Sequence, residues 1–343
     1  MNPLSAVWHA LSSLLYAIGW CVQMVIDFIL WFAGSLVWFV QWLPQRLIGA
    51  TDERLPVGKT AEQGFLYIKS GAQAFFDGLS NILTTLIDVI LAAMLRGPGT
   101  NWLSGRRYVA WYWSETTHAL IIVALFVIAA FLIQRSWKIA ALVLVGFLFI
   151  LDQGYWTQTA QTLTLVLMAC FVCMGIGMPL GIAAAHRPKL YRMMAPVLDL
   201  MQTLPTFVYL IPVIGLFGLG MVPGLIATVV FVLPTPIRLT HLGVTSTPAT
   251  LIEASQSFGA TKNQTLWKVE LPSAMPQIMT GLTQTIMLSL SMVVIAGMVG
   301  ANGLGVPVVR ALNTVNTALG FEAGMIIVVV AIVLDRMLKV DRK

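Results

Sequence analysis

Residues 157–185 read TQTAQTLTLVLMACFVCMGIGMPLGIAAA, without one Asp, Glu, Lys or Arg. A helix crosses the hydrocarbon core of a bilayer with about 20 mostly apolar residues, each adding roughly 1.5 Å of rise. This stretch is long enough to do so. Similar apolar runs surround it at 116–134, 138–152, 204–220, 223–241, 273–299 and 322–340. An earlier run, 20–43, carries Asp27 near its start and Trp31, Trp38 and Trp42 where interfacial rings belong. The pattern predicts an all-α polytopic membrane protein with eight spans, or seven if one apolar run does not cross.

The rest of the chain agrees. Of 343 residues, 58% are hydrophobic and 10% charged, and the mean hydropathy is +0.86. Soluble domains carry about 25% charged residues, so a water-soluble fold could not hide this much apolar surface. In a soluble protein a net charge of +6 would point to nucleic acid. Here the basic residues sit between apolar runs, as membrane topology requires, and no nucleic-acid partner is expected. The N-terminus lacks the basic region and small-residue cleavage site of a signal peptide, so it is expected to be retained.

Counting cations orients the chain. The loops at 135–138, 186–192 and 238–272 and the C-terminus hold 12 of the 20 Lys and Arg residues, whereas the loops near 153–156, 220–223 and 300–321 hold only Arg310. Short cytoplasmic loops are the basic ones. The first set and the C-terminus are therefore expected in the cytoplasm. The segment 44–118 is then external despite its seven basic residues. Within it, 73–95 reads as an amphipathic helix lying on the membrane. Its polar stripe is Asp77, Asn81, Thr84 and Asp88, and its apolar side is Leu79, Leu83, Leu86 and Ile90. Tyr108, Trp111, Tyr112 and Trp113 follow as an aromatic belt.

The longest basic loop, 242–272, reads as two short helices joined at a glycine. Thr250 and Glu253 have capping-box spacing, as do Thr261 and Gln264. Gly259 supplies a left-handed stop, and Pro272 ends the second helix before the next span. Leu251, Ala254 and Phe258 share one face of the first helix. That apolar face has to bury itself against the chain's own helix ends or in a partner's groove.

Glu253-Ala254-Ser255, three residues, Gly259, nine residues, then Val269-Glu270-Leu271-Pro272 resembles the EAA loop of ABC importer permeases. Ser255 stands for the third small residue and Val269 for an isoleucine. The likeness continues from Leu198 through Tyr209 (LDLMQTLPTFVY), at Leu288–Ala296 and at Leu334-Asp335-Arg336, where the chain is similar to permeases for glycine betaine, proline betaine and choline. It covers about 155–340.

This resemblance implies a type I ABC importer permease core (MetI-like) at 116–343, behind an N-terminal extension at 1–115. It implies that Leu251, Glu253, Ala254, Ser255, Phe258, Gly259, Leu271 and Pro272 couple the chain to ATP-binding subunits. It further implies a permease homodimer in the bilayer of the bacterial cytoplasmic membrane, served by a periplasmic substrate-binding protein. ATP and magnesium would be bound by the ATPase partner, with no cofactor in this chain. Gln202, Thr203, Pro205, Thr206 and Tyr209 are candidates to line the pathway, because Pro205 and Pro212 interrupt a span and broken helices often border translocation paths.

Other motifs divide function classes. No G-x-x-x-x-G-K-[ST], H-E-x-x-H or G-x-S-x-G occurs, so an enzyme is not expected. Cys170 and Cys173 form a C-x-x-C without a second ligand pair, and a structural zinc site takes four ligands. The rival class, a stand-alone carrier or channel, would need acids inside the spans for a coupling ion. The spans after residue 157 hold almost none away from their ends. Gly177 and Gly181 offer a small-xxx-small contact, and Gly297, Gly300, Gly303 and Gly305 read as a flexible exit from a span.

Overall fold

The structure, a computed structural model, describes residues 57–95 and 115–338. The expected span at 20–43, the aromatic belt and the last five residues lie outside the described residues. The chain divides into two compact units, Met1–Leu79 and Ser80–Lys343. In the first unit the described residues form the opening part of a long helix, α1 (Val57–Leu95). Phe75 and Phe76 meet edge to face there, with ring centroids 5.5 Å apart.

α1 begins well before the expected residue 73, and its Lys69–Leu95 portion is long and apolar enough to cross a membrane. From residue 80 onward its buried stripe is Leu83, Ile87, Ile90 and Met94, at helical spacing. Ile87 is 2% exposed, whereas Leu86, expected on the apolar side, is 45% exposed. The stripe keeps Leu83 and Ile90 of the sequence reading and takes Ile87 in place of Leu86, because Ile87 meets Met168, Ala169, Val222 and Leu225.

The second unit continues with α2 (Glu115–Gln134), α3 (Trp137–Asp152), α4 (Trp156–His186), α5 (Pro188–Thr203), α6 (Thr206–Phe217), α7 (Met221–Val232) and α8 (Pro234–Thr245). The short α9 (Ala249–Ser257) and α10 (Lys262–Thr265) precede a π turn (Leu266–Glu270). Then come α11 (Leu271–Met298), α12 (Gly305–Thr314) and α13 (Thr317–Leu338). Every regular element among the described residues is helical, as a bilayer demands of a chain that must satisfy its own backbone. Among the described residues six helices are long and apolar enough to cross, or seven counting the bent pair α5–α6. At 16 residues, α3 falls short of the ~20 that cross a bilayer core, and its Gly146 faces Val329 and Val333 of α13.

Contacts sort the loops into two ends. The Gln134 amide donates to Met337 carbonyl (2.9 Å), placing the α2–α3 turn beside the end of α13. At the other end Tyr155 hydroxyl donates to Glu322 (3.2 Å), Leu304 N–H to Thr162 Oγ1 (2.9 Å) and Gly220 N–H to Val299 carbonyl (3.0 Å). Burial, with the Glu322 carboxylate beside it, pushes the Tyr155 phenol up and keeps its proton on. The basic loops therefore share one end of the bundle, and Arg310 sits with the loops of the other, as the cation count requires.

The core joins Val143, Phe147, Leu163, Val166, Ile286, Leu290, Ile326 and Val330 from α3, α4, α11 and α13. Polar residues inside the spans turn back on their own helix. Thr164, Thr228, Thr285 and Ser289 each donate to the carbonyl four residues earlier, at 2.7–2.8 Å, which satisfies these four hydroxyls on their own helices.

A tight seam runs between α4 and α8. A Cβ on Gly177 would stand 2.8 Å from Pro236 Cγ, and one on Gly181 would stand 2.7 Å from Ile237 carbonyl oxygen. The small-xxx-small reading holds. The glycine run after α11 is packed rather than flexible. A Cβ on Gly305 would meet Val293 oxygen at 2.2 Å and one on Gly297 would meet Gly305 carbon at 2.8 Å. These glycines are there for close backbone approach.

Candidate functional site

The loop end of the second unit carries the groups with chemistry to offer. α9 starts after Pro248, whose φ of −57° and ψ of 129° make it the N-cap. Leu251 N–H and Ile252 N–H both donate to Pro248 carbonyl, at 3.0 and 3.4 Å. Thr250 therefore lies inside the first turn, and the expected Thr250–Glu253 capping box does not form. The proline restricts the chain to an extended entry and moves the helix start forward. Glu253 is exposed and is not committed to a cap.

α9 ends in a Schellman motif. Gly259 has φ +78°, its N–H donates to Gln256 carbonyl (2.9 Å), and Ala260 N–H donates to Ser255 carbonyl (3.1 Å). The second capping box is present: Gln264 N–H donates to Thr261 Oγ1 (3.4 Å) and Thr261 N–H to Gln264 Oε1 (2.8 Å).

Pro272 does not end the second helix. The chain runs as one helix over Lys262–Met298, passing through the π turn where Leu271 N–H bonds Leu266 carbonyl. A proline ring clashes with the carbonyl four residues back, and the widened turn just ahead of Pro272 lets the helix accept it.

The loop has an inner and an outer face. Inside, Ser255 Oγ donates to Ile252 carbonyl (2.8 Å) and lies 3.1 Å from Thr265 Oγ1, which ties α9 to α10. Leu271 is 7% exposed and packs with Val244, Ala274 and Ile278. These two members of the predicted coupling set are thus anchors of the loop. Outside, Leu251 is 48% and Phe258 92% exposed, beside exposed Glu253, Ala254, Gly259 and Pro272. The apolar face of α9 is not buried against this chain's own helix ends.

The five pathway candidates gather at an elbow. α5 and α6 meet at a 96° bend, so the expected single span over 204–220 is the second limb of a broken pair. Its two prolines differ in role. Pro205 is the N-cap of α6, and Pro212 lies within it. Tyr209 hydroxyl reaches back across the bend to Met201 carbonyl (3.2 Å) and Leu204 carbonyl (3.0 Å), groups left over at the end of α5. Gln202 donates to Thr235 Oγ1 (3.3 Å). Thr203 is exposed and Thr206 half-buried. Tyr209→Phe is expected to cost about 1 kcal/mol and to lower the melting temperature of the purified protein. An unchanged melting curve would show that the elbow does not depend on this hydroxyl.

Sequence reasoning missed three contacts here. Arg238 pairs with Asp199 (2.5 Å), and Tyr191 stacks on His241 with centroids 3.8 Å apart. With Gln202 and Thr235 these strap α5 to α8. His186 Nε2 also lies 2.9 Å from Glu270 Oε2. Each partner lies tens of residues from the other, beyond any local signal.

Residues 177–340 match the family described as binding-protein-dependent transport system inner membrane component. The glycine betaine transport system permease protein OpuAB of Bacillus subtilis is 40% identical over 293 residues, 84% of this chain and 96% of that protein. The chain belongs to the ABC transporter permeases, in their glycine betaine family.

Within that family, the glycine betaine/carnitine permease GbuB of Listeria monocytogenes is 41% identical over 78% of this chain and 90% of its own length. The glycine betaine/proline betaine permease ProW of Escherichia coli is 52% identical over 54% of this chain and 52% of its own. An inward-facing structure of the MetNI methionine ABC transporter aligns over 56% of this chain at 25% identity, with a TM-score of 0.48. Family membership and the apolar helices together make this permease a multi-pass membrane protein.

Proposed function

We propose that this chain is the membrane-spanning subunit of an ATP-driven importer for glycine betaine or a related quaternary ammonium solute such as proline betaine or choline. The relatives' activities support the substrate class. The exposed Leu251–Phe258 face of α9 supports the coupling mechanism, since a short apolar helix face projecting from a basic loop end fits a groove on a partner. That partner is an ABC ATP-binding subunit, which binds ATP and magnesium and does the hydrolysis.

Two copies of the permease work with two such subunits and a periplasmic binding protein. The basic end and the C-terminus face the cytoplasm, and the bilayer is the bacterial inner membrane. Closure of the ATPases pushes α9, and the push reaches the spans through the continuous helix Lys262–Met298. The elbow at Gln202, Thr203, Pro205, Thr206 and Tyr209 borders the route of the solute.

The test is reconstitution in liposomes, with and without the ATPase and the binding protein, following labelled glycine betaine, proline betaine and choline. Uptake that needs ATP and every component is expected. Uptake by the permease alone would replace this reading with a carrier or channel. In the same system Phe258→Ala is expected to weaken ATPase binding by about 2 kcal/mol, roughly thirtyfold in Kd, the effect of removing an interface anchor. An unchanged Kd would take Phe258 out of the interface.

A further inference from the structure

His186 closes α4 and Glu270 closes the π turn between the coupling loop and α11. Glu270 is 8% exposed, and its Oε2 stands 2.9 Å from His186 Nε2. The other imidazole nitrogen, Nδ1, is 2.9 Å from Ile182 carbonyl oxygen. A carbonyl only accepts, so Nδ1 carries a hydrogen. In a neutral ring Nε2 then holds a lone pair, and an ionised carboxylate offers only lone pairs in return. Two lone pairs repel at 2.9 Å, so the approach is favourable with a hydrogen on the ring or on the carboxyl. Oε2 is buried and meets no described group in hydrogen-bond geometry, so its 2.9 Å approach to the His186 ring is the polar contact it has.

Its place in the fold gives it a task. The coupling loop continues covalently into α11 but not into α4. Ile182 and Ala185 of α4 pack beside Leu266 and Leu271, and this apolar contact can slide. The directional link between the π turn and the end of α4 is the His186–Glu270 pair. The geometry points to a polar strut, His186 against Glu270, that delivers movement of the coupling loop to α4 as well as to α11. His186 and Glu270 are positioning residues on this view. The inference rests on the importer reading above.

The test uses the full complex in liposomes and reads solute imported per ATP hydrolysed. Glu270→Gln keeps a donor for the neutral ring, because its amide N–H can point at Nε2, and it is expected to transport at the wild-type ratio. Glu270→Leu fills the same space without a donor, and burial of an apolar side chain is tolerated there. It is expected to bind the ATPase and hydrolyse ATP normally while importing at least fivefold less solute per ATP. His186→Ala is expected to do the same. Equal ratios for Glu270→Leu and Glu270→Gln would overturn the strut. So would loss of assembly or hydrolysis in step with transport in Glu270→Leu, which would mark a packing role alone. Failure of the wild-type complex to import under ATP would count against the importer reading instead.

Discussion

Gly259→Val is expected to cut ATP-dependent uptake by more than tenfold while leaving the permease fully inserted in the membrane. Gly259 has φ +78°, and a Cβ placed there would meet nothing within 4 Å. The whole penalty is therefore backbone. A left-handed conformation costs an L-residue roughly 1–2 kcal/mol, and a β-branched side chain tolerates it worst. The chain escapes by leaving that conformation, which breaks the Gly259–Gln256 and Ala260–Ser255 bonds and turns Phe258 off its face. Gly259→Asn should keep most of the activity, since asparagine visits the left-handed region. Membrane fractionation with uptake in parallel decides the matter. Wild-type uptake by the valine variant would remove the coupling role from this loop.

A second large effect is expected at Gly181. A leucine there would drive its Cβ to 2.7 Å from Ile237 carbonyl oxygen and 2.7 Å from Thr240 Cβ. Neither a backbone carbonyl nor a branched β-carbon on a packed helix can move aside. Overpacking typically costs about 1–3 kcal/mol, and a clash with backbone belongs at the top of that range. α4 and α8 would separate, and the protein should fail to accumulate in the membrane. Gly175 lies on the same helix with nothing within 4 Å of its Cβ site, so Gly175→Ala should accumulate like wild type. Equal levels of Gly181→Leu and Gly175→Ala would show that the seam has more give than its distances allow.

Much of this architecture was legible before any coordinates. Expected runs at 116–134, 138–152, 157–185 and 322–340 correspond to Glu115–Gln134, Trp137–Asp152, Trp156–His186 and Thr317–Leu338. Long charge-free stretches have one solution in lipid, and their ends are marked by charge and aromatic residues. The helices of the 242–272 loop were legible because cap and stop residues act over three or four positions. Thr261, Gln264 and Gly259 behave as their spacing implies. Thr250 does not, because Pro248 two residues earlier claims the helix start.

Where helices bend or stay straight was less legible. Pro205 and Pro212 suggested a broken span, but the 96° elbow depends on what receives the freed carbonyls of α5, and that is the Tyr209 hydroxyl. Pro272 suggested a break where the helix continues, because a π turn accommodates the ring. Such outcomes depend on neighbours that local sequence does not name.

The sequence by itself determined the solvent, the class of fold, the gathering of its basic loops at one end and the loop motif that resembles the family's, since each is a matter of composition or short-range spacing. Only the tertiary structure decided which face of α9 stays open, that Ser255 and Leu271 anchor the loop, and that His186 meets Glu270. Those facts come from helices packed together across the bundle, where distance in space is independent of distance along the chain.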